Sequence, residues 1–456
     1  MGDAPTLLPD THFPQLPVLT NALAMKTRLQ EEFKRNHSLL HIHDLRLLQM
    51  RYKPGKKCEV CYELHISDLA SGRSGWQILA GIAEAPAKVA GKFEKARSKP
   101  QVTPAFGPAL HLLPDLALLL WSFPNDSHLP QLPRLLDPAG RLALLQAHRT
   151  TLRPDSEAGL VSAATELVKY APFDRCTLRH QLHFNDGVRL TLYSKTYNDK
   201  TSAAGVFATM QAVWQAPVCQ SGAFIVPRPL FCEPGYNTLF MSALQGTNVD
   251  AHLDRLDLAR TAARVGAGLA GLQQCPLNNL PVRSSEQMLA EVMKAGQTIV
   301  TYDAAHQALL ADLLQTMRAR QATLPAMPVT PVHTGFRLSQ CLLVEDRLAV
   351  IDFDDFQRGN PVEDAASFVA HLLYLPLRDK LTTAQSETAI THFCRGYAAA
   401  APWGLPQAVM TWYTAAQLIA KQAVKCINLG KKDHARKVAR LLELAHEVLT
   451  REKNWC

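Results

Sequence analysis

Residues 331–364, PVHTGFRLSQCLLVEDRLAVIDFDDFQRGNPVED, constrain this chain more than any other stretch. The apolar run Leu348 to Ile351 reads as a buried strand, and it delivers three acids within four residues: Asp352, Asp354 and Asp355. The loop before it, His333 to Gln340, contains no acid. After it comes a helix start, with Asn360 expected as N-cap, Pro361 at the first helical position and Glu363 where a capping box places an acid. A strand, an acidic turn and a capped helix in immediate succession require a mixed fold.

The first half of the chain is strand-rich and contains two related stretches. RYKPGKKCEVCYEL from Arg51 and KYAPFDRCTLRHQL from Lys169 share a basic residue, Tyr, Pro, a second basic residue and Cys in register. Each is followed by a second strand-like run, a helical stretch and a proline-marked strand pair, so a duplicated unit of about a hundred residues is expected. In the second copy Asn185-Asp186-Gly187 marks a tight hairpin, because Gly and Asp tolerate positive φ. Lys195 lies on the outgoing strand; the corresponding stretch of the first copy, LAGIAEA, has no lysine. From about Asp250 the apolar spacing turns helical, and the small residues of LDLARTAARVGAGLAGLQQC suit close helix packing. Three domains are expected: 1–150 as the first strand-rich unit, 151–248 as the second, and 249–456 as a helical lobe.

With 456 residues, 47% hydrophobic and 19% charged, the composition is that of a multidomain globular protein. The first residues show no basic stretch leading into an apolar core, and no run of about 18 apolar residues occurs. A cytoplasmic protein with no membrane partner is therefore expected. Met1-Gly2 is read as an ordinary start, and the ten scattered cysteines suit a reducing compartment. Cys58 and Cys61 sit three apart on an apparent strand, which points them to opposite faces and argues against joint zinc ligation. The net charge of +8 concentrates in residues 51–57 and 87–99, so a polyanion or glycan contact through residues 51–99 is conceivable beside the simpler reading of a solvated face. No basic motif interleaved with aromatics supports nucleic acid.

A strand-rich small lobe with one lysine, a connecting segment, and a helical lobe carrying a histidine loop before I-D-F-D resembles the aminoglycoside phosphotransferase and choline kinase-like family of small-molecule kinases. The resemblance covers about residues 160 to 456 and closes on Gly359, Pro361 and Asp364. It implies an α+β, bilobal kinase-like fold preceded by a duplicated small lobe. It implies ATP and Mg2+ as cofactors, with Lys195 and Arg175 near the phosphates, Met241 and Ala243 in a hinge beside adenine, and Asp352 and Gln340 as metal ligands. Asp364 would brace the loop around His333.

The departures bear on activity. Gly335 stands where the family has its catalytic aspartate, and Gln340 where it has Asn. No acid lies between Asp199 and Glu233 to pair with Lys195, and the phosphate loop YAPFDR lacks glycine. Phosphoryl transfer needs positioning, charge neutralisation and an acceptor for the hydroxyl proton, and glycine cannot be that acceptor. Two readings follow. Asp354, sharing a face with Asp352 if the strand continues, or His333 could supply the base for transfer to a small hydroxylated molecule. Alternatively the chain is a pseudokinase, a nucleotide-binding or scaffold module with a protein partner.

Overall fold

The computed structural model describes residues 10–11, 13–36, 38–430, 433–450 and 455. Met1-Gly2 lies outside them. The structure is mixed α+β, and the chain divides into two compact units: residues 1–204 with 230–240 and 427–434, and residues 205–229 with 241–426 and 435–456. Both strand-rich stretches thus share the first unit.

The first sheet is built from β1 (Leu40–Lys53), β2 (Lys57–Asp68), β3 (Ser74–Ala83), β4 (Leu110–Leu113) and β5 (Leu118–Ser122), with helix α1 (Pro86–Arg97) between β3 and β4. Its order is β1-β2-β3-β5-β4. The second sheet uses β6 (Leu160–Ala171), β7 (Arg175–Phe184), β8 (Arg189–Tyr197), β9 (Pro229–Glu233) and β10 (Thr238–Ser242), in the corresponding order β6-β7-β8-β10-β9. Each sheet turns its last corner through a single 3-10 turn begun by proline, Pro114–Leu116 and Pro234–Tyr236. Each turn ends on a left-handed residue, Ala117 at φ 43° and Asn237 at φ 44°. The hairpin signal at residues 185–187 is real: Gly187 takes φ 83° and its N–H donates to the Phe184 carbonyl at 3.0 Å.

Period-two patterning builds the core of the second sheet. Cys176, Leu178, Leu182 and Phe184 alternate inward along β7 and meet Leu192 of β8. Four leucines from an earlier stretch, Leu129, Leu132, Leu135 and Leu145, complete that cluster. Cys58 and Cys61 are both buried on β2, and burial pushes each thiol up to about 12.

In the second unit, helices α2 (Leu258–Leu272), α3 (Ser285–Tyr302), α4 (Val362–Tyr374) and α5 (Thr383–Ala400) surround short strands. These are β11 (Thr247–Asn248), β12 (Thr330–Val332), β13 (Cys341–Val344), β14 (Arg347–Val350) and β15 (Gln357–Gly359). All thirteen residues of α4 are buried, which explains the near-continuous apolar run of VEDAASFVAHLLY. The helix begins at Val362, one residue later than expected, with Pro361 rather than Asn360 in the cap position. Asn360 still accepts from the Val362 N–H at 3.0 Å. Glu363 closes no capping box; it is buried and its carboxylate accepts from Arg283 at 2.7 Å. No helix among the described residues is long and apolar enough to cross a membrane.

Candidate functional site

In the second unit, backbone pairing brings the histidine loop and the acidic turn together. Val332 of β12 pairs with Gln357 of β15, so the chain leaving β12 runs beside the chain entering β15. The β13–β14 hairpin lies between them in sequence and pairs with β11, Thr247 opposite Leu343. This fixes the segment that follows Met241 and Ala243, both half-buried. Glycine is required at 246, where a Cβ would come within 2.8 Å of the Leu343 carbonyl oxygen.

Asp364 holds the histidine loop. Its two oxygens accept the backbone N–H groups of His333 at 2.6 Å and Thr334 at 2.9 Å, while Gln273 donates at 3.3 Å. The carboxyl is fully buried, and that burial pushes its pKa up to about 7 against the pull of these donors. With two N–H groups fastened, Thr334 turns left-handed at φ 62° and its hydroxyl donates to the Asp355 carbonyl at 2.8 Å. Thr334 was not singled out in the sequence; only its place between His333 and Gly335 marks it.

His333 is 3% exposed and sits among Phe336, Phe353 and Phe356, with ring centroids 5.7, 6.3 and 5.1 Å away. Its Nε2 lies 3.2 Å from the Ile351 carbonyl, and burial lowers its pKa, so the ring is neutral at physiological pH with Nε2–H the donor. The ring ties the loop to the end of β14.

The strand carrying the acids ends at Val350, and Asp352 takes a left-handed φ of 77°. Two-residue alternation therefore does not continue to Asp354, and the shared face expected for Asp352 and Asp354 does not arise by strand geometry. Asp352 and Asp354 are half-buried, Asp355 exposed. Asp352 is also close enough to His333 to act electrostatically on its ring.

Gly335 faces open space, and a Cβ built there meets nothing within 4 Å. Its φ is not positive, so no left-handed strain bars a side chain there. Gln340 is buried, and its side-chain oxygen accepts from the Arg337 N–H at 3.0 Å. That carbonyl is turned back into its own loop. Asp352 has the carboxylate chemistry that a divalent cation requires; Gln340, so engaged, fits the second ligand position poorly. No group of three or more His, Cys, Asp or Glu side chains arranged to hold a metal occurs among the described residues.

Lys195 belongs to the first unit. It is 9% exposed on β8, opposite Thr177 of β7, with its Nζ 5.7 Å from the Tyr197 ring centroid. The hairpin between β6 and β7, which carries YAPFDR, is pinned to residues that precede the second sheet. Asp126 accepts from the Tyr170 hydroxyl at 2.7 Å and the Phe173 N–H at 2.9 Å, and Phe173, buried at φ 63°, packs edge-on to Trp121. Arg51 reaches Asp174 at 3.2 Å, and Arg175 lies 3.8 Å from the same carboxylate. Asp126 had no motif to announce it.

The second unit thus sets a histidine loop, braced by a helix carboxylate, beside an acidic turn that follows a strand. Residues 182–403, just under half the chain, match the model of the phosphotransferase enzyme family. The resemblance to aminoglycoside phosphotransferases and choline kinase-like proteins therefore holds over this segment. Solved structures similar to the chain include a choline/ethanolamine kinase family protein from Mesorhizobium loti, at 14% identity and TM-score 0.45, covering 68% of this chain and 98% of that one. A putative aminoglycoside phosphotransferase from Ralstonia eutropha shows 14% identity and TM-score 0.45, covering 68% and 99%. The aminoglycoside phosphotransferase APH(3'')-Id from Streptomyces rimosus shows 19% identity and TM-score 0.38, covering 59% and 96%. No curated protein sequence matches the chain.

Proposed function

We propose that this chain binds ATP with a divalent cation through Asp352 and transfers phosphate to a small hydroxylated molecule only slowly, because the proton-accepting carboxylate is missing at Gly335. The open space at Gly335 carries this reading: a Cβ placed there meets nothing within 4 Å, so the loop lacks a side chain it has room to begin. Neither suggested substitute has a clear route to that place. His333 is enclosed by three phenylalanine rings, and Asp354 follows a left-handed turn rather than a strand. The matching order of strands and the paired 3-10 corners support descent of both sheets from one duplicated unit.

A second reading, a nucleotide-binding scaffold without turnover, is favoured by the β6–β7 hairpin. It lacks glycine and is anchored at Asp126 and Asp174 instead of being free to fold over phosphates.

The test is radiolabelled ATP turnover over a panel of sugars, aminoglycosides and amino alcohols, comparing the native chain with Gly335→Asp and Asp352→Ala. General-base catalysis contributes about 10² to 10⁴ in rate, so Gly335→Asp should raise a slow native rate by a factor in that range and Asp352→Ala should remove it. Thermal shift with ATP and Mg2+ separates the readings: stabilisation without turnover in either the native chain or Gly335→Asp selects the scaffold. Fast native turnover indifferent to both substitutions overturns the proposal.

A further inference from the structure

An open cavity of about 210 Å³ lies between the first sheet, the helix α1 and residues 125–133; all its lining residues belong to the first unit, and none comes from the Asp352 loop. Its floor is apolar: Ile82, Ala96 and Trp121 line it and are buried. Its mouth is basic: Lys92, Lys95 and Lys99, three or four residues apart along α1 and its end, line the same opening. Like charges at this spacing repel and weaken a helix. Glu84 pairs with Lys92, but no acid pairs with Lys95 or Lys99 among the described residues.

The acid that does line the cavity is already committed. Asp126 accepts four donors, the N–H groups of His128 and Leu129 at 2.8 and 3.2 Å besides Tyr170 and Phe173, which occupy its acceptor positions and hold it in the protein. The register of the sheets adds a second observation. Ile82 stands opposite Glu59, as Lys195 stands opposite Thr177 in the second sheet. Where one sheet carries a buried lysine on its strand, the other has an apolar residue there and places its cations on the neighbouring helix, around an open volume.

We propose that this cavity binds a small organic phosphate, its phosphate held by Lys95 and Lys99 at the mouth and a flat, largely apolar body lying against Ile82 and Trp121. Such a ligand satisfies both halves of the site: the ammonium groups gain a charge-assisted partner, and the floor loses water. The volume is below the range of about 300 to 1,000 Å³ usual for drug-sized ligands, which restricts the body to about one or two rings.

Calorimetric titration of the full chain with phenyl phosphate, inorganic phosphate and phenol tests this. Phenyl phosphate should bind at least tenfold more tightly than either fragment. The double substitution Lys95→Gln/Lys99→Gln, at exposed positions that leave the core intact, should weaken it at least tenfold. Asp352→Ala should leave it unchanged, so failure at the Asp352 loop and failure here read out separately. Phenyl phosphate binding equally to the native and doubly substituted chains, or no better than inorganic phosphate, overturns the proposal.

Discussion

Asp364 shows how one carboxylate sets a loop and how that has a pH signature. Two backbone N–H groups need two acceptor oxygens, which Asn cannot provide without turning its amide nitrogen toward one donor. Leaving a buried donor unpaired costs about 1–3 kcal/mol, so Asp364→Asn should destabilise the chain by that order in urea unfolding. Burial holds the folded-state pKa at about 7, well above the usual carboxylate value. Between those values the folded state keeps a proton that the unfolded chain releases, so the stability Asp364 contributes is full below about pH 4 and is lost as pH rises through 7. The deficit of Asp364→Asn should accordingly shrink from pH 4.5 to pH 7.5, and a deficit that grows with pH would contradict the assignment. Gly335 is the complementary case: the same loop is over-determined at its start and open two residues later.

At the scale of elements, the helix pair α2 and α5 rests on two glycines. A Cβ at Gly266 would lie 2.3 Å from the Phe393 carbonyl oxygen, and one at Gly396 would lie 2.1 Å from that of Ala263. The obstacles are backbone atoms, so no side-chain rearrangement relieves them. Gly266→Ala should cost about 1–3 kcal/mol, as overpacking does, against the gain of about 1 kcal/mol that alanine brings to an unobstructed helix; urea denaturation reads the sign. The small residues of α2 were legible in sequence because helix contact leaves a compositional trace. The strand pairs and the hairpin at Gly187 were legible through period-two alternation and turn chemistry. The end of β14 was not: IDFDD continues an alternating pattern, and only the left-handed turn at Asp352 breaks it. Asp126 was equally silent: beside the His128 and Leu129 N–H groups of its own turn it accepts from Tyr170 and Phe173, more than forty residues away, and no local pattern encodes those two bonds.

At the scale of the molecule, the boundary drawn at residue 150 divides a shared core. Leu129, Leu132, Leu135 and Leu145 belong to the cluster that β7 and β8 build with Cys176, Leu178, Leu182 and Leu192. Each of these leucines is at most 1% exposed, and removing one buried leucine side chain typically costs about 2–5 kcal/mol. Whole domains are commonly stable by only about 5–15 kcal/mol. Deleting residues 1–150 removes all four, together with Asp126 and the floor on which Phe173 rests. The remaining chain should be insoluble or lack a cooperative unfolding transition by calorimetry, even though it retains the whole of residues 182–403 that match the phosphotransferase family. A soluble, cooperatively unfolding remainder would show that the second sheet completes its core without those leucines. The first sheet and the helices after it thus contribute to the fold of the second sheet directly, independent of any ligand they hold.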